Sequence, residues 1–282
     1  MSEALFHSTV MTEEEFETIS AFVKSTCGIN LHAGKKELVK ARLSKRMRML
    51  KLDSFEKYFA HVQRDVSGIE LMGMLDCLST NLTSFFREPA HFELLAKVMG
   101  ELLATNAQTR KLRIWSAGCS SGEEPYTLAM TLAETAGQCG YDMKILASDL
   151  STRVLAAARR GVYPHARLRG VPGELTSRYF TLVQARPERL YQVNESLRSL
   201  ITFARVNLME SWPMAGPFDV IFCRNVMIYF DKDTQTRLVS RFQDMLRPGG
   251  LLFVGHSESL SGVRHNLEYV QPAVYRRRGR GD

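Results

Sequence analysis

Residues Lys111–Tyr126, KLRIWSAGCSSGEEPY, carry the reading on which the fold turns. The apolar run Leu112 to Ser116 is too short for a helix and has the length of a buried strand. Ser116-Ala117-Gly118-Cys119-Ser120-Ser121-Gly122-Glu123-Glu124-Pro125 follows as a small-residue loop and opens a helix over Glu124 to Ala136. Glycines such as Gly118 let backbone approach a ligand with no Cβ in the way, and a helix N-terminus presents unpaired N–H groups. Downstream the alternation continues with strand Lys144 to Ser148, helix Thr152 to Arg160, strands Ile201 to Val206 and Asp219 to Cys223, and helix Asp233 to Leu246. Pro248-Gly249-Gly250 then turns into strand Leu251 to Gly255, and Tyr269 to Tyr275 reads as a final strand. Strand, helix, strand, helix predicts an α/β domain with a mostly parallel sheet.

Working outward from that core, residues 163–200 are interrupted by Pro164, Gly170, Pro172, Gly173 and Pro187 and read as an insertion, with Leu190 to Val193 as a hairpin strand. Pro89 suits the first position of a helix reaching Ala104. Residues 1–80 have a different pattern. Thr12 and Glu15 have capping-box spacing for a helix ending near Thr26, and Ser54 to Arg64 and Gly68 to Leu78 read as two further short helices. Between them Lys35 to Lys51 holds eight basic residues and one acid. Val39, Leu43, Met47 and Leu50 form one apolar stripe there, leaving Lys36, Lys40, Arg42, Lys45, Arg46 and Arg48 on an outer basic face. The expected organisation is an all-helical domain over 1–80, a linker over 81–88, and an α/β domain over 89–282 that ends in a frayed tail at Arg276, Arg277, Arg278 and Arg280.

The 282 residues suit one or two domains, and 45% hydrophobic with 24% charged residues excludes a disordered or fibrous chain. No apolar run reaches the ~18 residues of a membrane span. Met1 to Val10 lacks a basic region before an apolar one, so a cytoplasmic protein without a signal peptide is expected. Cys27, Cys77, Cys119, Cys139 and Cys223 are odd in number and widely spaced, which predicts reduced thiols and no metal site. A net charge of +7 invites a polyanionic partner.

Acids rather than bases follow the Gly118 loop, and no G-x-x-x-x-G-K-[ST] run exists, so a triphosphate site is unfavourable. Glu123 and Glu124 repel phosphate but tolerate a cationic or hydroxyl-rich ligand. Asp149 ends the second strand, where its carboxylate can accept from both ribose hydroxyls or else cap the next helix. Loop and acid together indicate an adenosine-containing cofactor. The loop is not G-x-G-x-x-G, which weighs against a dinucleotide. Asn207 and Asn225 follow strands where an amide can meet an adenine edge or an amino-acid carboxylate. Pro248-Gly249-Gly250 before a penultimate strand fits the antiparallel hairpin that closes many methyltransferase sheets. These three features favour S-adenosylmethionine.

Five ordered runs then resemble one family. They are Thr80-Asn81-Leu82-Thr83-Ser84-Phe85-Phe86-Arg87-Glu88, Trp115 to Tyr126, Ala147-Ser148-Asp149, Phe218 to Phe230, and Leu246 to Glu258 with Gly255-His256-Ser257-Glu258. Over roughly residues 12 to 275 the chain looks like a CheR-type chemotaxis receptor methyltransferase, a protein-glutamate O-methyltransferase that uses S-adenosylmethionine. The resemblance implies a Rossmann-like sheet with a helical N-terminal domain and a small antiparallel β-subdomain at the insertion. It implies cofactor contacts from Asn81, Thr83, Arg87, Gly118, Glu124, Asp149, Asn207, Leu208, Arg224 and Asn225, with Arg87 and Tyr229 at the catalytic centre. It implies a substrate in the acidic helical bundle of a chemoreceptor's cytoplasmic region, which gives the basic face of Lys36, Lys40, Arg42, Arg46 and Arg48 a docking role in place of a merely solvated one. A monomeric enzyme at receptor arrays of the inner membrane, with S-adenosyl-L-homocysteine as product, follows. Gln184 to Arg189 lacks the glycine-rich turn of peptide-dependent members and points to a peptide-independent enzyme. The rival readings are a nucleotide-dependent oxidoreductase, a nucleic-acid-binding module and a cofactor-holding scaffold without turnover. The basic helix lacks the aromatic or glycine signatures of nucleic-acid modules.

Overall fold

The structure is a computed structural model that describes residues 10–79, 81–137 and 139–279. Thr80, Arg280 and residues 1–9, all named above, lie outside the described residues. The chain divides into two compact units, Met1–Thr80 with Tyr229–Asp231, and Asn81–Ile228 with Lys232–Asp282.

In the first unit, α1 (Glu13–Cys27) begins at the capping box, with Thr12 Oγ1 accepting from the Glu15 N–H at 3.1 Å and the Glu15 carboxylate accepting from the Thr12 N–H at 2.8 Å. Gly28 ends it in the left-handed region at φ 78°, where a residue without Cβ carries no steric penalty. Helix α2 (Lys36–Leu50) buries Val39, Leu43 and Met47; α3 (Phe55–Arg64) and α4 (Ile69–Leu78) complete the unit.

The outer basic face of α2 is narrower than the sequence predicts. Arg46 turns inward and grips the Glu70 carboxylate of α4 with Nε at 3.0 Å and Nη2 at 2.6 Å, while the Tyr58 hydroxyl donates to the same carboxylate at 3.0 Å. Glu70 is only 4% exposed, so these donors compensate a buried charge. Arg42 also turns inward, its Nη1 donating to the Leu78 carbonyl at 2.7 Å at the open end of α4. Lys36 pairs with Glu13 at 2.7 Å and Lys40 with Glu37 at 3.3 Å, both at the surface.

The second unit runs α5 (Ala90–Thr105), β1 (Lys111–Ala117), α6 (Glu123–Ala136), β2 (Asp142–Asp149), α7 (Thr152–Arg160), β3 (Val162–Pro164), α8 (Gly173–Tyr179), β4 (Phe180–Gln184), β5 (Leu190–Val193), α9 (Glu195–Arg198), β6 (Ile201–Arg205), β7 (Phe218–Cys223), α10 (Lys232–Met245), β8 (Leu246–Val254), β9 (Leu267–Gln271) and β10 (Val274–Arg277). Seven strands form one sheet in the order β6-β2-β1-β7-β8-β10-β9, parallel except for β10, which is antiparallel to both neighbours. Inserted strands β3, β5 and β4 make a separate antiparallel sheet in that order. This is the α/β methyltransferase architecture with a small β-subdomain.

Side chains alternate across β1. Leu112 and Ile114 join the core that holds Leu95, Met99, Leu128 and Leu132 of α5 and α6. Trp115 faces the other way, edge-on to Phe242 of α10 at 5.3 Å, and its indole N–H donates to Ser148 Oγ at 2.8 Å, so no polar atom of the ring is left unpaired. The strand order departs from β1 in opposite directions, to β2 on one side and β7 on the other. The loops after β1 and β7 therefore flank the crevice where open α/β sheets bind ligands.

Three details differ from expectation. Arg276 and Arg277 are not frayed but end β10, where Arg276 Nη1 pairs with Glu101 at 3.2 Å and Arg277 Nη1 donates to the Asp244 carbonyl at 3.2 Å, so side-chain partners extend the strand into the basic tail. Tyr269 to Tyr275 is not one strand but the hairpin β9–β10, reversed at Pro272 and Ala273 with Ala273 at φ 64°. Strand β8 starts at Leu246, and Pro248-Gly249-Gly250 lies inside it as an irregularity, because Phe218 pairs with Leu246 but Val220 with Leu251. All five cysteines are free thiols, and among the described residues no helix is long and apolar enough to cross a membrane.

Removing Arg46 leaves the Glu70 carboxylate buried without its cation. Arg46→Ala is expected to lower the unfolding free energy by roughly 3 kcal/mol, and Lys40→Ala by less than about 1 kcal/mol, in urea denaturation. Equal small losses would remove the Arg46–Glu70 pair from this description of the helical unit.

Candidate functional site

The loop after β1 is stitched to β2 before any side chain is considered, since the N–H groups of Gly118 and Cys119 both donate to the Ser148 carbonyl at 2.8 and 2.9 Å. Gly118 has φ 87°, and a Cβ there would collide with Val226 of the loop after β7. Ser120 is left-handed at φ 49° without being glycine, and is held there by Asp149, whose Oδ2 accepts from the Ser120 N–H at 2.9 Å. Oδ1 of Asp149 accepts from the Ser151 N–H at 2.9 Å. The cap of α7 is Ser151, not Asp149, which settles that alternative.

Glu124 stands in the first turn of α6, where Oε1 accepts from Ser116 Oγ at 2.8 Å and Oε2 from Arg224 Nη1 at 3.1 Å. Arg224 directly follows β7 with its side chain only 2% exposed; Nη2 pairs with Glu88 Oε2 at 3.1 Å and donates to the Arg87 carbonyl. One guanidinium thus lies between two carboxylates and a carbonyl. Burial pushes the Glu124 carboxyl up while Arg224 pulls it back; burial acts on Glu88 in the same sense, and there Arg224, by its charge and its hydrogen bond, leads the effects that hold the carboxyl below the usual range.

Residues 81–88 belong to this unit and are tied to it at several points. Ser120 Oγ donates to the Asn81 carbonyl at 2.8 Å, Arg167 Nη1 to the Thr83 carbonyl at 3.0 Å, and the Phe86 N–H to Thr127 Oγ1 at 3.2 Å. Phe85 is buried edge-on to Tyr163 and Phe180. Arg87 lies between two left-handed residues, Phe86 at φ 52° and Glu88 at φ 58°, and its Nη1 donates to the Leu82 carbonyl at 2.8 Å. Its side chain is half-buried at the turn.

Across the crevice, Glu258 holds the loop after β7. Its Oε2 accepts from the N–H groups of Gly255 at 2.6 Å and Asn225 at 2.7 Å, and its Oε1 from that of Ile228 at 3.0 Å. Asn225 is left-handed at φ 58°. Burial pushes the Glu258 carboxyl up and the backbone donors pull it down. In the sequence Glu258 is only the last residue of the Gly255–Glu258 run, with no role attached to it. The available signal was an acid in a short turn after an apolar strand, where backbone N–H groups are the natural partners.

Asn207 and Leu208 follow β6. The Asn207 amide is engaged within its own loop, accepting from the Met209 N–H at 3.0 Å and donating to Glu210 at 2.9 Å. Arg241, stacked 3.8 Å over Trp212, donates to the Leu208 and Glu210 carbonyls from α10. Hydrogen bonds thus connect Asn81 to Asp149 through Ser120, and Arg87 to Glu124 through Arg224. Tyr229, Lys36, Lys40, Arg42, Arg46 and Arg48 belong to the first unit, where Tyr229 accepts from the Asn30 N–H at 2.7 Å and Lys35 Nζ lies 5.5 Å over its ring.

The donor set tests the implied cofactor. Glu88, Glu124 and Asp149 supply three carboxylates against the one buried guanidinium of Arg224, a surplus that suits a cationic ligand bearing a diol and disfavours a phosphate. S-Adenosylmethionine carries a sulfonium, an ammonium and a ribose, and the residues fit it. Glu258→Gln replaces an acceptor oxygen with an amide N–H facing backbone donors. Calorimetric affinity for S-adenosylmethionine should then fall tenfold or more, equivalent to about 1.4 kcal/mol; unchanged affinity would separate Glu258 from the site.

Comparison with known proteins identifies the family. Residues 81–275 match the family described as CheR methyltransferase, SAM binding domain, and residues 14–79 match CheR methyltransferase, all-alpha domain. Chemotaxis protein methyltransferase 2 of Pseudomonas aeruginosa is 46% identical over 265 residues, covering 94% of this chain and 93% of that protein. The chemotaxis protein methyltransferase of Borreliella burgdorferi is 40% identical, with 95% of each chain covered. That of Escherichia coli is 39% identical, covering 94% of this chain and 91% of the relative. The two matched segments and the relatives together place this chain in the CheR methyltransferase family, enzymes that use S-adenosylmethionine.

Proposed function

We propose that this protein methylates glutamate side chains in the cytoplasmic region of chemotaxis receptors, leaving glutamyl methyl esters and S-adenosyl-L-homocysteine. The observation that carries this reading is the Glu124–Arg224–Glu88 bracket, which ties the Arg87 turn to the loop after β1. The bound cofactor supplies an electrophilic methyl group. A glutamate with an ordinary pKa of ≈ 4.3 is already ionised at neutral pH and needs no general base. Orientation and exclusion of water then dominate, and well-aligned reactants gain roughly 7 to 11 kcal/mol from proximity. Arg87 is the cation suited to meet the incoming carboxylate, because its guanidinium is half-buried and carries donors beyond the one engaged by Leu82. Tyr229 is assigned to orient the acceptor on the strength of its match to the family's active-site tyrosine.

The docking role of α2 falls to Lys36, Lys40 and Arg48, since Arg42 and Arg46 hold α4 in place. These side chains steer an acidic helical bundle by a salt-sensitive attraction. The enzyme acts as a cytoplasmic monomer at receptor arrays, and the β-subdomain needs no receptor peptide.

Incubation with methyl-labelled S-adenosylmethionine and receptor cytoplasmic fragments should incorporate label that mild alkali releases and that disappears on Glu-to-Ala changes in the receptor. Alkali-stable label, or none despite cofactor binding, would contradict the ester reading. Arg87→Ala should cut turnover by about a hundredfold or more, and normal turnover would remove Arg87 from the centre. Reversing Lys36, Lys40 and Arg48 to Glu should raise KM and flatten its salt dependence; unchanged kinetics would make that face a merely solvated one.

A further inference from the structure

Glu88, His91 and His256 each present one ligand atom, and all three atoms lie within 4.8 Å of one another. His91, in the first turn of α5, is fully buried against the Phe253 ring at 5.5 Å. Its Nδ1 is 3.5 Å from Glu88 Oε2, and neither ring nitrogen has a hydrogen-bond partner among the described residues. Buried polar atoms are almost always paired, so an imidazole with both nitrogens unpaired marks a place built for another partner.

His256 completes the cluster from the surface. Its ring centroid is 4.7 Å from that of His91, and its backbone N–H donates to Glu88 Oε2 at 3.2 Å. Its side chain is exposed and provides the entry path. Two imidazoles and one carboxylate are the donors of zinc and its first-row neighbours, not of magnesium or calcium, which prefer oxygen alone. The cysteine pattern of the sequence predicted no metal site, and this cluster involves no cysteine.

The same carboxylate serves Arg224 at 3.1 Å. A divalent ion that takes Glu88 draws it from that guanidinium, which keeps Glu124 and the Arg87 carbonyl as partners. We infer that Glu88, His91 and His256 form a site for a divalent transition metal, and that its occupation competes with the Glu88–Arg224 pair and slows methyl transfer. The inhibitory half rests on the methyltransferase reading above; the metal-binding half does not.

The test uses full-length, tag-free protein stripped with chelator and titrated with Co²⁺, read by its visible absorption, followed by displacement with Zn²⁺. One equivalent should bind with nitrogen-ligand bands, and affinity should fall at least tenfold in both His256→Gln and His91→Phe. His256→Gln keeps the backbone N–H to Glu88 and should retain basal methylation and cofactor affinity, while losing the Zn²⁺ inhibition that chelator reverses in the unmodified enzyme. No Co²⁺ binding, or binding unchanged in both variants, would overturn the site. Binding with no effect on methylation would overturn the competition. A metal-free enzyme that binds cofactor yet methylates nothing would sink the functional reading, and the Co²⁺ spectra would still decide the site.

Discussion

Arg224 lies almost sealed from solvent between the carboxylates of Glu88 and Glu124, with the Arg87 carbonyl on the same guanidinium. Desolvating an arginine costs several kcal/mol, and the pairing repays it only while both acids stay in place. Each partner comes from a different part of the second unit. Glu124 lies in the first turn of the helix after β1, Arg224 directly follows β7, and Glu88 closes the 81–88 segment. Because β1 and β7 are adjacent parallel strands, the bracket is available only at the end of the sheet where the strand order diverges. Without Arg224 the two acids would face each other across a buried gap.

Backbone strain collects around the same place. Phe86, Glu88, Ser120 and Asn225 all occupy the left-handed region without being glycine, at a typical cost of about 1 to 3 kcal/mol each. Each is anchored. Asp149 fixes Ser120, Arg224 fixes Glu88, Thr127 fixes Phe86, and Glu258 fixes Asn225. The strain is the consequence of turning three loops toward one crevice, and buried carboxylates paired with backbone N–H groups or with Arg224 hold most of it.

Much of this was legible in the sequence where a local signal existed. Helix α7 agrees with the reading of Thr152 to Arg160 to the residue, and β5 with Leu190 to Val193, because Ser151 caps and Gly161 ends the helix while Pro187 precedes and Asn194 follows the strand. The hairpin β9–β10 was not legible, since its reversal uses Pro272 and Ala273 with no glycine to mark a left-handed turn. Nor could charge pattern reveal that Arg42 and Arg46 face inward. That depends on Glu70 and the Leu78 carbonyl, brought there by α4 packing on α2, a tertiary fact with no period. Glu88 was visible only as the end of the Thr80–Glu88 run; its partners Arg224 and His256 lie more than a hundred positions away in sequence. Long-range pairing of this kind leaves no trace in a single chain's local pattern.

The dependence of residues 81–88 on one distant guanidinium is tested most directly by amide hydrogen exchange. In Arg224→Gln, amides across 81–88 should exchange about tenfold faster or more than in the unmodified protein. Those of β1 and β7 should keep their protection. Unchanged protection of 81–88 beside an intact sheet would show that the segment is held without Arg224, and would contradict the bracket as the constraint on which the site depends.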